Sequence, residues 1–338
     1  MDYRLLGRTG VYVSPLCLGT MMFGPWGNDD PADSIRVIHH ALDAGINFVD
    51  TADVYSGGVS EEMVGEALKD RRDDVVLATK FFMPMDDQPN RSGGSRRWIM
   101  HAIEDSLRRL GTDYIDLYQV HRPSLVMDVE ETLGALTDLV RQGKVRYIGS
   151  SSYSGSQIVE AQCASHERHL ERFITEQPPY SILVRGIETD VLPTTQRHGM
   201  GTLTYSPLAG GWLSGRWRKE AAGTPTSSAR PSARFDMQLL ENQRKLDVVE
   251  ELAQLAEQAG MTLIELAIAF VINHPGVTSA IIGPRTMEQL LSQLPAADIS
   301  LSTDVLDRID QLVAPGLTIN PEDNSYGAAE LAPSARRR

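Results

Sequence analysis

Eight short apolar runs punctuate this chain, near Leu16-Leu18, Phe48-Val49, Val75-Thr79, Ile115-Val120, Val145-Ile148, Phe173-Glu176, Gly201-Tyr205 and Ala280-Ile282, and the stretches between them show helical periodicity. A strand followed by a crossover helix builds a parallel sheet, and eight such repeats are enough to close it. The predicted fold class is α/β, a (β/α)8 TIM barrel. Within the first crossover, Ile35, Ile38 and Leu42 fall on one face of the helix expected over Ser34-Leu42. Ahead of the barrel, Tyr3-Leu6 and Val11-Val13 flank Gly7-Arg8-Thr9-Gly10, turn chemistry for an N-terminal β-hairpin capping the barrel floor. The 338 residues exceed the usual single-domain length, but barrels of this kind commonly reach about 250 residues or more as one unit. No linker or internal repeat divides the chain, so residues 1–338 read as a single domain. Long loops are expected at the C-terminal face, chiefly 215–234 ahead of a helix starting near Asp236, and about 314–338 reads as a partly flexible tail. Neither a Walker A sequence nor a Gly-x-Gly-x-x-Gly follows the first strand, which disfavours a Rossmann fold.

In a barrel, chemistry gathers at the carboxyl ends of the strands. Asn47 to Ser56 sets Asp50 and Tyr55 five residues apart just past one strand, Val75 to Lys80 ends in a lysine, and Tyr114 to His121 ends in a histidine. Free tyrosine titrates near ~10, so a phenol that donates at neutral pH needs a cation to favour its phenolate; Lys80 is the candidate, with Asp50 as its counter-ion. His121, ordinarily titrating near about 6.5, can orient a carbonyl oxygen or relay a proton to it. Singly, each has a plain structural reading as an N-cap, a loop anchor, a solvated strand end or a core histidine. Four reactive types at three consecutive strand ends are harder to explain that way, and together they read as a proton-donating site. A rival chemistry makes Lys80 the Schiff-base nucleophile of a barrel aldolase.

These residues resemble the catalytic tetrad of the aldo-keto reductase superfamily. The likeness extends to Gly45-Ile46-Asn47-Phe48-Val49-Asp50-Thr51-Ala52, Leu110-Gly111-Thr112-Asp113-Tyr114-Ile115-Asp116-Leu117 and Tyr205-Ser206-Pro207-Leu208-Ala209-Gly210-Gly211, in the family's order, across roughly residues 3 to 312. The resemblance implies an NADP(H)-dependent oxidoreductase that reduces aldehydes or ketones, with Asp50, Tyr55, Lys80 and His121 catalytic. Potassium-channel beta subunits share the superfamily, so the alternative is a non-catalytic or weakly catalytic NADP-binding regulatory subunit.

Without a doubly wound sheet, a dinucleotide must be held by loops after the last strands. Ile281 to Leu290 runs from a strand into a helix and offers a helix N-terminus to a phosphate, and Arg285 could clamp a 2′-phosphate bidentately. By resemblance, Gly283, Arg285 and Gln289 match adenine-nucleotide contacts, with Gln293 standing where the family usually has Asn. Ser151 and Gln177 match partners of the nicotinamide carboxamide, Ser152 replacing a second Asn, while Tyr205 would stack on the nicotinamide. Ser206, Leu208, Gly210 and Arg216 resemble the pyrophosphate-facing segment, and Gly19, Thr20 and Asp50 complete the cofactor-facing set. The substrate pocket would be formed by Trp26, Tyr55, Phe82 and His121, apolar and aromatic enough to predict an apolar or aromatic carbonyl.

Composition narrows the partners. With 32 Lys plus Arg against 45 Asp plus Glu, the formal net charge of -13 disfavours nucleic acid and anionic membranes. No apolar stretch reaches the roughly 18 residues of a membrane span, and Met1 to Gly7 lacks a signal-peptide layout. Cys17 and Cys163 alone make no disulfide framework, so a cytoplasmic setting is expected. Cys163, His166 and His169 recur along a helix among surface charges without a nearby fourth ligand, and no metal site is assigned. The expected partner is a small-molecule carbonyl substrate, with an oligomer possible.

Overall fold

The computed structural model describes residues 1–124, 126–219 and 233–324, together with Pro333. β1 (Arg4–Leu5) and β2 (Tyr12–Val13) pair antiparallel as the hairpin. β3 (Leu16–Gly19), β4 (Phe48–Asp50), β5 (Val76–Phe81), β6 (Ile115–Val120), β7 (Val145–Ser151), β8 (Thr175–Gln177), β9 (Gly201–Tyr205) and β10 (Ser279–Ile282) are all parallel and close in the order β10-β3-β4-β5-β6-β7-β8-β9. Each apolar run of the sequence supplies one of these strands. The sixth shifts: Phe173 leaves the ladder and packs edge-on against Tyr153, with ring centroids 5.7 Å apart, while pairing runs on to Gln177.

The helices are α1 (Pro31–Asp43), α2 (Val59–Leu68), α3 (Arg96–Leu110), α4 (Val129–Arg141), α5 (Gly155–Arg168), α6 (Val191–His198), α7 (Leu240–Gln258), α8 (Leu263–Asn273), α9 (Met287–Gln293) and α10 (Thr303–Leu312). Their starts follow local chemistry. Asp30 accepts from the Ala32 and Asp33 N–H groups ahead of Pro31 in α1, and Thr262 with Glu265 forms a capping box on α8. In α1 the buried stripe is Ser34, Val37, Ile38, Ala41 and Leu42. Ile35 lies at the edge of this stripe and is only half-buried. α7 begins at Leu240, later than expected, since Asp236 forms a turn, accepting the Gln238 N–H on its carboxylate and the Leu239 N–H on its carbonyl. Residues 220–232 of the expected long loop, and the expected tail beyond Asn324 apart from Pro333, lie outside the described residues.

Two cores position the site. An outer one fills the space between strands and helices. The inner one, Leu6, Val13, Cys17, Phe48, Ala78, Leu117, Leu203 and Ile281, fills the barrel, with the hairpin's Leu6 and Val13 closing its floor. Side chains of a strand return to the same face every second residue. Two positions past Phe48, Ala78, Leu117 and Leu203 therefore come Asp50, Lys80, Gln119 and Tyr205, a polar tier resting on a dry one. Among the described residues no single helix is long and apolar enough to cross a membrane.

Candidate active site

β4 and β5 are neighbours, and their register pairs Asp50 with Ala78, so Lys80, two residues further along β5, reaches back to it. The Lys80 Nζ lies 2.5 Å from Asp50 Oδ1, 2.8 Å from the Thr51 carbonyl and 3.2 Å from the Tyr55 hydroxyl. Its side chain is fully buried and that of Asp50 only 3% exposed. The second carboxylate oxygen of Asp50 accepts from Gln119 Nε2 at 3.0 Å and Gln177 Nε2 at 2.9 Å. Ionic hydrogen bonds of this kind are what make a buried charge tolerable. Tyr55 sits in the turn leading into α2, its ring edge-on to His121 with centroids 5.8 Å apart and tilted toward Trp26 at 6.3 Å. Asp50, Tyr55, Lys80 and His121 thus converge as the sequence predicted.

Electrostatics refines the expectation for Tyr55. Burial pushes its phenol above the ordinary value and Lys80 draws it down only in part, so the hydroxyl rests protonated. Lys80 itself would be lowered by burial, but Asp50 and Tyr55 together hold the ammonium above the ordinary lysine value. A Schiff-base lysine needs a neutral amine, which this pairing opposes. Burial, then Lys80 and Arg122, push His121 well below its ordinary range. It is a neutral imidazole whose Nδ1 is buried without a partner among the described residues, able to orient an oxygen but not to add a positive charge.

The expected cofactor face is arranged differently. Ser206, Ala209, Gly210 and Gly211 all have left-handed backbone, with φ of 59°, 49°, 68° and 101°, and Leu208 lies between them at φ -91°. Three successive left-handed residues from Ala209 to Gly211 wind this segment into tight turns, in which the Ala209 and Gly211 N–H groups donate to the Ser206 and Leu208 carbonyls at 2.8 and 2.9 Å. Arg285 is half-buried and has no carboxylate partner among the described residues; its N–H donates to Gln289 Oε1 at 2.9 Å and its carbonyl accepts from Asn28 at 2.8 Å. The Arg285 guanidinium therefore fits a phosphate of a dinucleotide. α9 is only seven residues long and Thr286 caps it, so the guanidinium, more than the helix end, supplies charge there.

Gln177 donates to Asp50 and to Gln119 Oε1 at 3.2 Å, which leaves its own carbonyl oxygen as the atom able to meet a carboxamide. Ser151 donates to the Gln177 carbonyl at 2.9 Å, and Ser152, left-handed at φ 62°, lies 3.4 Å from the Tyr205 hydroxyl. Gly19 has a packing reason to be glycine: a Cβ would stand 2.6 Å from Ile281 Cγ2. Thr20 spends its hydroxyl on the Asp50 carbonyl and Ser60, 3.2 and 2.9 Å away, turning its side chain into the wall. Arg216 and Gly283 are exposed and Gln293 is buried. Phe82 lines a cavity of about 410 Å³ with Val120, Pro123, Met127 and Tyr153, between the loops after β6 and β7. Cys163, His166 and His169 share a surface cleft with His198, and among the described residues no three His, Cys, Asp or Glu side chains are placed to hold a metal.

Three participants were missed in the sequence. Gln119 braces Asp50; its signal was the two-residue step from Leu117. Glu176 accepts from the Ser150 hydroxyl at 2.5 Å and the Tyr153 N–H at 3.0 Å, and burial pushes its carboxyl up to about 8 despite those donors. Arg122 donates to the Ser152 hydroxyl, tying together the loops after β6 and β7.

A closed parallel barrel with a buried Asp-Lys pair beneath a phenol defines a class of barrel oxidoreductase. The model of the aldo/keto reductase family matches residues 15–314, and the chain belongs to that family. It is 40% identical over 323 residues to the uncharacterized oxidoreductase YrpG of Bacillus subtilis, covering 92% of this chain and 96% of that one. It is 36% identical over 330 residues to a probable voltage-gated potassium channel subunit beta of Arabidopsis thaliana (93% and 97%). To the aldo-keto reductase YhdN of Bacillus subtilis it is 36% identical over 295 residues (86% and 87%).

Proposed function

We propose that this oxidoreductase is an NADPH-dependent carbonyl reductase that converts aldehydes or ketones to alcohols, with Tyr55 as general acid. The observation that carries the reading is the Lys80 ammonium standing 3.2 Å from the Tyr55 hydroxyl while bound to Asp50 at 2.5 Å. When bound, the reduced nicotinamide supplies the hydride. Tyr55 keeps its proton until the substrate oxygen gains negative charge, then donates it, and Lys80 stabilises the phenolate left behind. Asp50 keeps Lys80 charged and aimed. Neutral His121 offers an N–H to the same oxygen and fixes its direction. Trp26 and Phe82 add aromatic walls, which favours an apolar or aromatic substrate.

The cofactor-holding residues would be Ser206, Leu208 and Gly210 at the pyrophosphate, Arg285 at a 2′-phosphate, Gly283, Gln289 and Gln293 toward the adenine, and Ser151, Ser152, Gln177 and Tyr205 around the nicotinamide. Arg216 adds an exposed cation to the pyrophosphate side. The channel-subunit relatives support a second reading, a regulatory subunit that binds NADP without efficient turnover. The test follows NADPH consumption with a panel of aromatic aldehydes in wild type and Tyr55→Phe at matched cofactor occupancy. A fall of about 10²- to 10⁴-fold in kcat with NADPH still bound is expected. Undiminished turnover in the variant would remove Tyr55 from the role, and NADPH binding with no turnover by the wild type would favour the regulatory reading.

A further inference from the structure

Most cations drawn into this protein have a carboxylate beside them. Arg72 meets Asp116 at 2.7 Å, Arg109 meets Glu61 at 2.7 Å, and Arg185 meets Glu188 and Asp310 at 2.8 and 2.7 Å. Arg122 differs. It is half-buried, follows His121 directly, and has no carboxylate at ion-pair distance among the described residues. Its one hydrogen bond there is to the neutral Ser152 hydroxyl, which leaves most of a guanidinium's five donors unused. Its charge is felt at the Tyr55 phenol and the His121 ring, which places it at the reaction end of the cleft, and also at Glu176, whose buried carboxyl is nonetheless pushed up to about 8 and so is largely neutral at pH 7. A partly desolvated cation without a counter-ion is costly in a free protein and favourable once an anion arrives.

The cofactor's phosphates are poorly placed to be that anion. In the barrel order β6, which carries His121 and Arg122, stands four strands from β10 in either direction, so Arg122 and Arg285 face each other across the mouth. We propose that Arg122 recognises a carboxylate carried by the carbonyl substrate, so that the preferred substrates are aldehyde or keto acids with an aromatic or apolar body. Planar guanidinium and carboxylate match two donors to two acceptors, fixing the orientation of the substrate as well as its affinity.

This inference rests on the reductase reading, and its test separates the two. With NADPH, kcat/KM is compared for 4-carboxybenzaldehyde and its methyl ester, which share an aldehyde and a body and differ in charge, in wild type, Arg122→Met and Arg122→Lys. The wild type is expected to prefer the acid by about tenfold or more, the methionine variant to lose that preference, and the lysine variant to regain part of it. In parallel, binding of the unreactive 4-(hydroxymethyl)benzoate to the NADPH complex is measured by calorimetry and is expected to weaken by about tenfold or more in Arg122→Met. An acid-to-ester ratio that does not move, or a wild type that prefers the ester, overturns the proposal. So does a loss of NADPH affinity equal to the loss for the acid, which would make Arg122 a cofactor residue. If no aldehyde turns over, the reductase reading fails, and the calorimetric result alone decides whether Arg122 is an anion site.

Discussion

The β4–β6 side of the barrel mouth and the β9–β10 side solve opposite problems. On the first, the central cluster is paired within the chain: Lys80 has Asp50, Asp50 has Gln119 and Gln177, and Tyr55 has Lys80, while Arg122 beside them has no carboxylate at ion-pair distance among the described residues. On the second, the backbone is bent at Ser206 and Ala209 into left-handed conformations that non-glycine residues seldom adopt, and Arg285 has no carboxylate partner among the described residues. The Asp50, Lys80 and Tyr55 cluster is preassembled by the fold, whereas the opposite wall keeps its Arg285 charge unpaired among the described residues. Each half therefore answers to a different kind of perturbation.

The largest effect should come from breaking the preassembled half. Lys80→Met leaves Asp50 buried beside two amides without its cation, and stability measured by chemical denaturation is expected to fall by about 3–5 kcal/mol together with loss of turnover. A variant as stable as its parent would mean that Asp50 takes up a proton there at little cost. Next comes the receptive half. Arg285→Met is expected to raise the NADPH dissociation constant by about tenfold to a hundredfold, leaving NADH affinity nearly unchanged and stability intact. Equal losses for both cofactors would place Arg285 away from the 2′-phosphate.

A pH-dependent effect falls between the halves, at Glu176. Its folded carboxyl is raised to about 8 from an ordinary 4.5, so the folded protein binds that proton more tightly than the unfolded chain does. The stability it contributes is complete below the unfolded value and declines as pH rises toward the folded one. Glu176→Gln should flatten the fall in unfolding free energy between about pH 5 and 8. His121, pushed the other way, costs stability only below about pH 6.5 and so cannot supply that slope. Parallel curves for parent and variant would show Glu176 to be ionised in the fold.

The barrel and the tetrad were legible because both depend on short-range pattern. Apolar runs at strand length mark the walls, and a reactive residue at the end of a run must surface at the mouth. What stayed hidden depends on register between distant segments. Gln119 reads as an ordinary polar strand residue until β4 brings Asp50 within reach, and Glu176 until β7 presents Ser150 and the chain beyond it. Arg122 carries no local sign of its setting, since nothing in the adjacent sequence shows that no carboxylate pairs with it. At Gly19 and Thr20, matched by family position, the structure adds contacts that the sequence does not display, to Ile281 and Ser60. Asp236 shows a further limit, because an Asp before an apolar stretch caps a turn as readily as a helix.

The ring is joined where its last strand meets its first, Ala280 beside Leu16, Ile281 beside Cys17 and Ile282 beside Leu18. All four reactive side chains are encoded by position 121, yet the wall that encloses them is completed only with residues 279–282. Between positions 121 and 279 the growing chain therefore holds all four side chains with no closed wall around them. A fragment ending before β10 should carry the whole tetrad and remain inert, with the edges of β3 and β9 open to other chains. Enclosure of the four side chains thus arrives only with the closing seam, a contact between residues more than 260 positions apart.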